Sequence, residues 1–221
     1  MKTISKTLSD GSVLTLEKTD EITFPKGVKI LVTDPCYWFD KKEGGILDGG
    51  IDIWQEFCGL MFPENWNTIP QDENFHSYGK AIYTTKDGKK IEFLYTSTAH
   101  GDGSYQVVGG GCVEKISGDG FIGVDAGMFA VVLVDDAKLF SPNEFTYNGY
   151  HFGCGVVFET TAESTVVVDG ANMEGAVYCN TDAEEEAYCS ECGNECASDE
   201  DLCYDCYIKD EEEEQEEDEE E

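Results

Sequence analysis

Four cysteines close to the C-terminus are the residues best spaced to do chemistry. Cys189 and Cys192 form one C-x2-C pair and Cys203 and Cys206 a second, with ten residues between the pairs. Each pair lets a tight turn aim two thiolates at one metal, and four thiolates complete the tetrahedral shell that Zn2+ prefers. Gly193 directly follows the first pair, where the knuckle turns and a permissive backbone helps. The spacing therefore predicts a zinc-ribbon-like module over residues 179–208, with Cys189, Cys192, Cys203 and Cys206 as ligands and structural Zn2+ as cofactor. A shell filled by cysteine leaves no open position for water, which argues against hydrolysis at this metal. A redox reading of the pairs needs a strand-to-helix context like that of thioredoxin, and the surrounding sequence offers none. Cys179 and Cys196 are spare. So short a module has almost no core, and its folding would draw on the metal, which contributes on the order of 10–16 kcal/mol in small zinc peptides.

Three clusters of glycine and aspartate form the other candidate chemistry. They are Asp34-Pro35-Cys36-Tyr37-Trp38, His100-Gly101-Asp102-Gly103-Ser104-Tyr105 and Gly123-Val124-Asp125-Ala126-Gly127. Ordinary turn chemistry explains each one alone, because an Asp beside Pro or Gly accepts nearby backbone N–H groups. If the three turns meet at one end of a domain, Asp34, Tyr37, Trp38, Asp102, Tyr105 and Asp125 line a polar-aromatic pocket for a small ligand such as a nucleotide. Against an anionic ligand stands the absence of Arg, with Lys41, Lys42 and Lys115 the nearest cations in sequence. The same clusters allow two other arrangements. Cys36 with His100 and Asp102 has the residue types of a Cys/His hydrolase or transferase, and the three aspartates together could hold Mg2+ or Ca2+ through oxygen. No P-loop, nucleophile elbow or H-E-x-x-H accompanies them, so the reading leans away from an enzyme and assigns no catalytic residue.

The order of these motifs resembles a family of small proteins found mostly in bacteriophages and some bacteria. Members read DPCY, then a Trp, then GDGxY, then GVDAG. Here Asp34-Pro35-Cys36-Tyr37, Trp54, the run from Gly101 to Tyr105 and the run from Gly123 to Gly127 stand in that order, over roughly residues 28–135. The resemblance implies a phage origin and a compact β-rich fold, and it carries no activity with it. The cysteine-rich C-terminus is not a general feature of that family.

The elements that must position these residues read as strands. Residues 12–17, 28–33, 81–85, 91–98, 121–124, 128–134, 155–160 and 164–168 are short, apolar and β-branched, and are bounded by Gly, Asp, Asn or Pro. Asp87-Gly88 between two such runs predicts a tight hairpin. Only residues 51–60 look helical, with Ile51, Trp54, Phe57 and Leu60 roughly on one face. The expected fold is mainly β: a single β-sandwich or open barrel over residues 1–178 with one or two short helices, then the ribbon, then an acidic tail at 209–221.

Charge sets the partners. The chain of 221 residues carries 47 acids against 14 basic residues, all lysine, for a formal net charge of −33. Residues 181–221 hold 21 acids and one lysine, a net of −20, and the preceding 180 residues carry the other −13. Such a chain lacks the basic footprint needed for direct nucleic-acid binding or for an anionic membrane surface. No basic residue lies between Cys189 and Cys206, so a protein-docking or clip role fits this ribbon better than nucleic-acid contact. Residues 210–221 are eleven acids and one Gln, a block that repels itself. It serves as a solubilising tail, as a dock for a host or phage protein with a basic surface, or as a mimic of nucleic-acid charge. No apolar run is long enough to span a membrane and the N-terminus lacks an apolar signal core, so the expected location is cytoplasmic, the host cytoplasm for a phage protein.

Overall fold

The computed structural model describes residues 2–36, 53–64, 74–140 and 155–181, with 138–140 as backbone only, and the backbone of 187–188 and 195–196. Two compact units divide the chain, Met1–Asp182 and Ala183–Glu221. In the first, the strands of the N-terminal half are β1 (Thr3–Thr7), β2 (Val13–Glu17), β3 (Glu21–Phe24), β4 (Lys29–Thr33), β5 (Tyr78–Thr84), β6 (Lys90–Ser97) and β7 (Gly103–Gln106). They continue as β8 (Val108–Gly109), β9 (Val113–Ser117), β10 (Phe121–Val124), β11 (Met128–Leu133), β12 (Val156–Thr160), β13 (Ser164–Val168), β14 (Asn172–Gly175) and β15 (Val177–Asn180). Helix α1 spans Ile53–Met61 and α2 spans Val134–Phe140. The described chain is mainly β, with antiparallel sheets and two short helices, and no helix among the described residues is long and apolar enough to cross a membrane.

Eight strands form the large sheet in the order β1-β2-β5-β6-β11-β4-β12-β9. Its central strands are covered on both faces. Along β11, Met128, Ala130 and Val132 face one apolar cluster while Phe129 and Val131 face another, and β4 splits the same way at Leu31 against Ile30 and Val32. Double burial is why β11 reads as an unbroken apolar run rather than as the alternation of a half-exposed strand. The first face is covered by α1 and α2. Ile53, Phe57 and Met61, four residues apart, are the buried stripe of α1, and the Phe57 ring meets Tyr95 edge-on at 5.1 Å. That stripe differs from the expected one: Trp54 and Leu60 pack only partly against the cluster, because the helix is rotated to bring 53, 57 and 61 inward.

The second face is covered by a five-stranded sheet, β3-β13-β14-β15-β8, and by the two-stranded β10-β7 ladder. The Asp87-Gly88 hairpin joins β5 to β6 as expected; Thr85 N–H donates to Lys89 O at 2.9 Å to close it. The cluster at 100–105 is a turn that runs into strand β7, where Gly103, Ser104 and Tyr105 pair with Val124, Gly123 and Ile122 of β10. In the second unit, the backbone at Ala187–Tyr188 (β16) pairs antiparallel with Glu195–Cys196 (β17).

Candidate functional site

Asp34 follows the last residue of β4 and is fully buried. Its Oδ1 accepts the Cys36 amide at 2.7 Å, the local turn that an Asp before Pro favours. Its Oδ2 accepts the amides of Asp125 and Ala126, at 2.8 and 2.7 Å, from a turn more than ninety residues away. Burial raises the Asp34 pKa above the ordinary aspartate value, although these amides and the Cys36 side chain pull it the other way. The carboxylate is thus a clip between the first and third glycine-aspartate clusters.

The second cluster is brought in by sheet pairing. Gly103 at the start of β7 lies opposite Val124 at the end of β10, so the turns at 98–102 and 125–127 leave the ladder at the same end. Thr98 binds both: its N–H donates to Gly127 O at 2.9 Å, and its hydroxyl donates to Gly101 O at 2.6 Å. The Tyr105 hydroxyl donates to the same Gly101 carbonyl at 2.9 Å. Gly101 and Gly127 have φ of +81° and +63°, and a Cβ on Gly127 would sit 3.7 Å from the Gly101 Cα. Left-handed backbone at two touching positions is what glycine supplies without steric cost. A fourth segment joins them, since the Ala99 amide donates to the Thr181 hydroxyl at 2.8 Å.

All three clusters therefore meet, and the sequence-derived residues divide by what they do there. Asp34 and Tyr105 are buried and spend their polar atoms on backbone groups. Asp102, Asp125 and His100 are exposed, and Cys36 is half-buried with its amide held by Asp34. Tyr37 and Trp38 lie outside the described residues, as do Cys189, Cys192, Cys203 and Cys206 and the whole of 209–221. Cys179 sits in β15 with its side chain in the core under the small sheet, where burial pushes its thiol up to about 12. No group of three or more His, Cys, Asp or Glu side chains able to hold a metal occurs among the described residues. Thr98 and Thr181, which stitch the turns together, carried no sequence signal beyond a hydroxyl at a strand end.

A cleft of about 300 Å3 lies elsewhere on the body. Val107, Val113 and Phe158 make its apolar floor, and Gln106, Lys115 and Asp119 stand at its rim. It forms where β8 and β9, the end strands of the five- and eight-stranded sheets, come together. That junction depends on pairing between distant strands and left no motif in the sequence.

No protein family, no curated protein and no solved structure matches this chain.

Proposed function

We propose that the protein is a non-enzymatic, phage-type accessory protein that docks on a partner with a basic surface through its C-terminal segment. In this reading a sandwich-like β body is the scaffold. A ribbon held by Zn2+ on Cys189, Cys192, Cys203 and Cys206 presents the contact, and the acidic run at 210–221 supplies charge. The observation that carries it is the pair of C-x2-C motifs inside a segment that holds −20 of the −33. A closed four-cysteine shell suits a structural clip, and a dense acidic run speeds encounter with a basic surface in a salt-dependent way. The β16-β17 ladder supports it as well, because the six residues between those strands in sequence include Cys189 and Cys192. The test is elemental mass spectrometry on full-length protein purified without added metal. About one zinc per chain is expected, lost when Cys189 and Cys203 are both changed to Ser; a stoichiometry near zero removes the ribbon. Partner capture at low and high salt, with the glutamates of 211–221 changed to Gln, tests the docking half.

A second reading, a small-ligand site at the converging turns, is favoured by one observation. Asp102 and Asp125 are exposed on turns that leave the β7-β10 ladder at the same end. Calorimetry with nucleotides on wild type and on Asp102→Ala/Asp125→Ala decides it, and heat that is unchanged between the two proteins rejects the site.

A further inference from the structure

The outward face of the five-stranded sheet carries a row of side chains that nothing in the described chain covers. Glu21, Val167 and Glu174 lie directly opposite one another across β3, β13 and β14. Tyr178 and Val108 are opposite partners on β15 and β8, the next two strands. Residues in register share a face of the sheet. Here that face is open: Tyr178 and Val108, each 50% exposed, are the most exposed large apolar side chains among the described residues, and Val167 is 36% exposed. Glu21 and Glu174 are exposed and take part in no ion pair among the described residues. None of these five strands contains a lysine, so the row is acidic and apolar with no cation of its own. At its β8 end Val108 also lines the cleft floored by Val107, Val113 and Phe158.

We infer that this face is a docking surface for an extended, arginine-bearing segment of a partner protein. The chemistry selects the occupant. A guanidinium stacks on an exposed tyrosine ring and forks onto a neighbouring carboxylate, which lysine does less well. Tyr178 with Glu174 on the adjacent strand offers both groups, and Glu21 repeats the carboxylate at the far end. The cleft beside Val108 receives an apolar side chain of the same segment. Five strands about 4.8 Å apart make a row about 19 Å long, the reach of roughly six extended residues. A second copy of this chain fits poorly, because it would bring its own −33 against the same acids. This contact lies within Met1–Asp182 and stands apart from the one proposed for the C-terminal segment, so either can fail alone.

The test uses the full-length chain, at a salt concentration high enough to suppress simple charge attraction. A fluorescein-labelled peptide of alternating arginine and leucine is titrated by anisotropy, beside its glutamate counterpart. The arginine peptide is expected to bind and the glutamate peptide not. Tyr178→Ala and Glu174→Lys, both at exposed positions, should each weaken binding about five- to tenfold while leaving the circular dichroism spectrum unchanged. Backbone amide shifts on adding peptide should map to residues 108, 167, 174 and 178. Binding by both variants as tight as that of the wild type overturns the inference, as do shifts confined to residues 181–221. Sedimentation showing a dimer that Tyr178→Ala dissociates also overturns it, and assigns the face to a second copy.

Discussion

Asp34 accepts three backbone amides from two turns, so one side chain ties the first glycine-aspartate cluster to the third. Asp34→Ala leaves those amides without their acceptor and should lower stability by about 1.5–3 kcal/mol in urea denaturation, the range for hydrogen bonds to a charged group. A loss near zero would show the clip to be incidental. The pH dependence follows from the raised pKa. The folded protein holds the Asp34 proton more tightly than the unfolded chain does. The group's contribution is therefore full below the unfolded value of about 3.9 and falls away as pH rises through the higher folded value. The stability gap between wild type and Asp34→Ala should narrow in that direction; a gap that widens as pH rises contradicts the sign. Cys179 behaves oppositely to a metal-ligand thiol. With its thiol pushed up to about 12 inside the core, it should resist a thiol reagent in the native protein, while half-buried Cys36, Cys58 and Cys112 react first. Mass mapping of the labelled peptides checks the order.

At the scale of elements, α1 covers the first face of the large sheet with the Phe57 ring seated 5.6 Å from Phe93 and 5.1 Å from Tyr95. Phe57→Ala should cost about 3–5 kcal/mol, as for other fully buried aromatics, read from the urea midpoint. A cost below about 1 kcal/mol would mean that the helix is not docked as described. The helix was legible from its period, but its rotation was not, since only packing against β6 selects the 53-57-61 stripe. The same contrast runs through the strands. Those buried on both faces could be read directly, since β11 is apolar throughout and β4 and β12 carry apolar runs at Ile30-Leu31-Val32 and Val156-Val157-Phe158. Strand β1 (TISKT) lies at an edge and β9 (VEKIS) at the other, where solvent admits polar residues and the signal fades. Short β7, β14 and β15 are missing from the strands legible in the sequence, because glycine or asparagine stands among their few residues. The glycine-aspartate clusters were visible as punctuation. That they meet, and that Asp34 is consumed in holding them, depends on pairings across ninety residues that no local pattern encodes.

For the whole molecule, the two units predict separable behaviour. Chelation should leave the urea midpoint of the β body unchanged, since the stability of that unit lies in two apolar clusters and no metal-ligand group occurs among its described residues. A body that unfolds earlier under chelation would place a metal within Met1–Asp182 after all. The large sheet should also end with the chain. Its edge strand β1 carries Lys6, which pairs with Glu56, and β9 carries Lys115 and a register break opposite Val157 and Phe158, devices that discourage a further strand. Sedimentation should accordingly report a monomer. The position of β4 between β11 and β12 has a consequence in time. Ile30 pairs with Leu133 on one side and Phe158 on the other, so a strand with the apolar centre Ile30-Leu31-Val32 is synthesised about a hundred residues before either neighbour exists. At roughly 5–20 residues per second on the ribosome, that is a wait of about 5–20 s with nothing to pair against. Nascent chains of this protein should therefore engage a chaperone between those two lengths and be released once β12 has emerged.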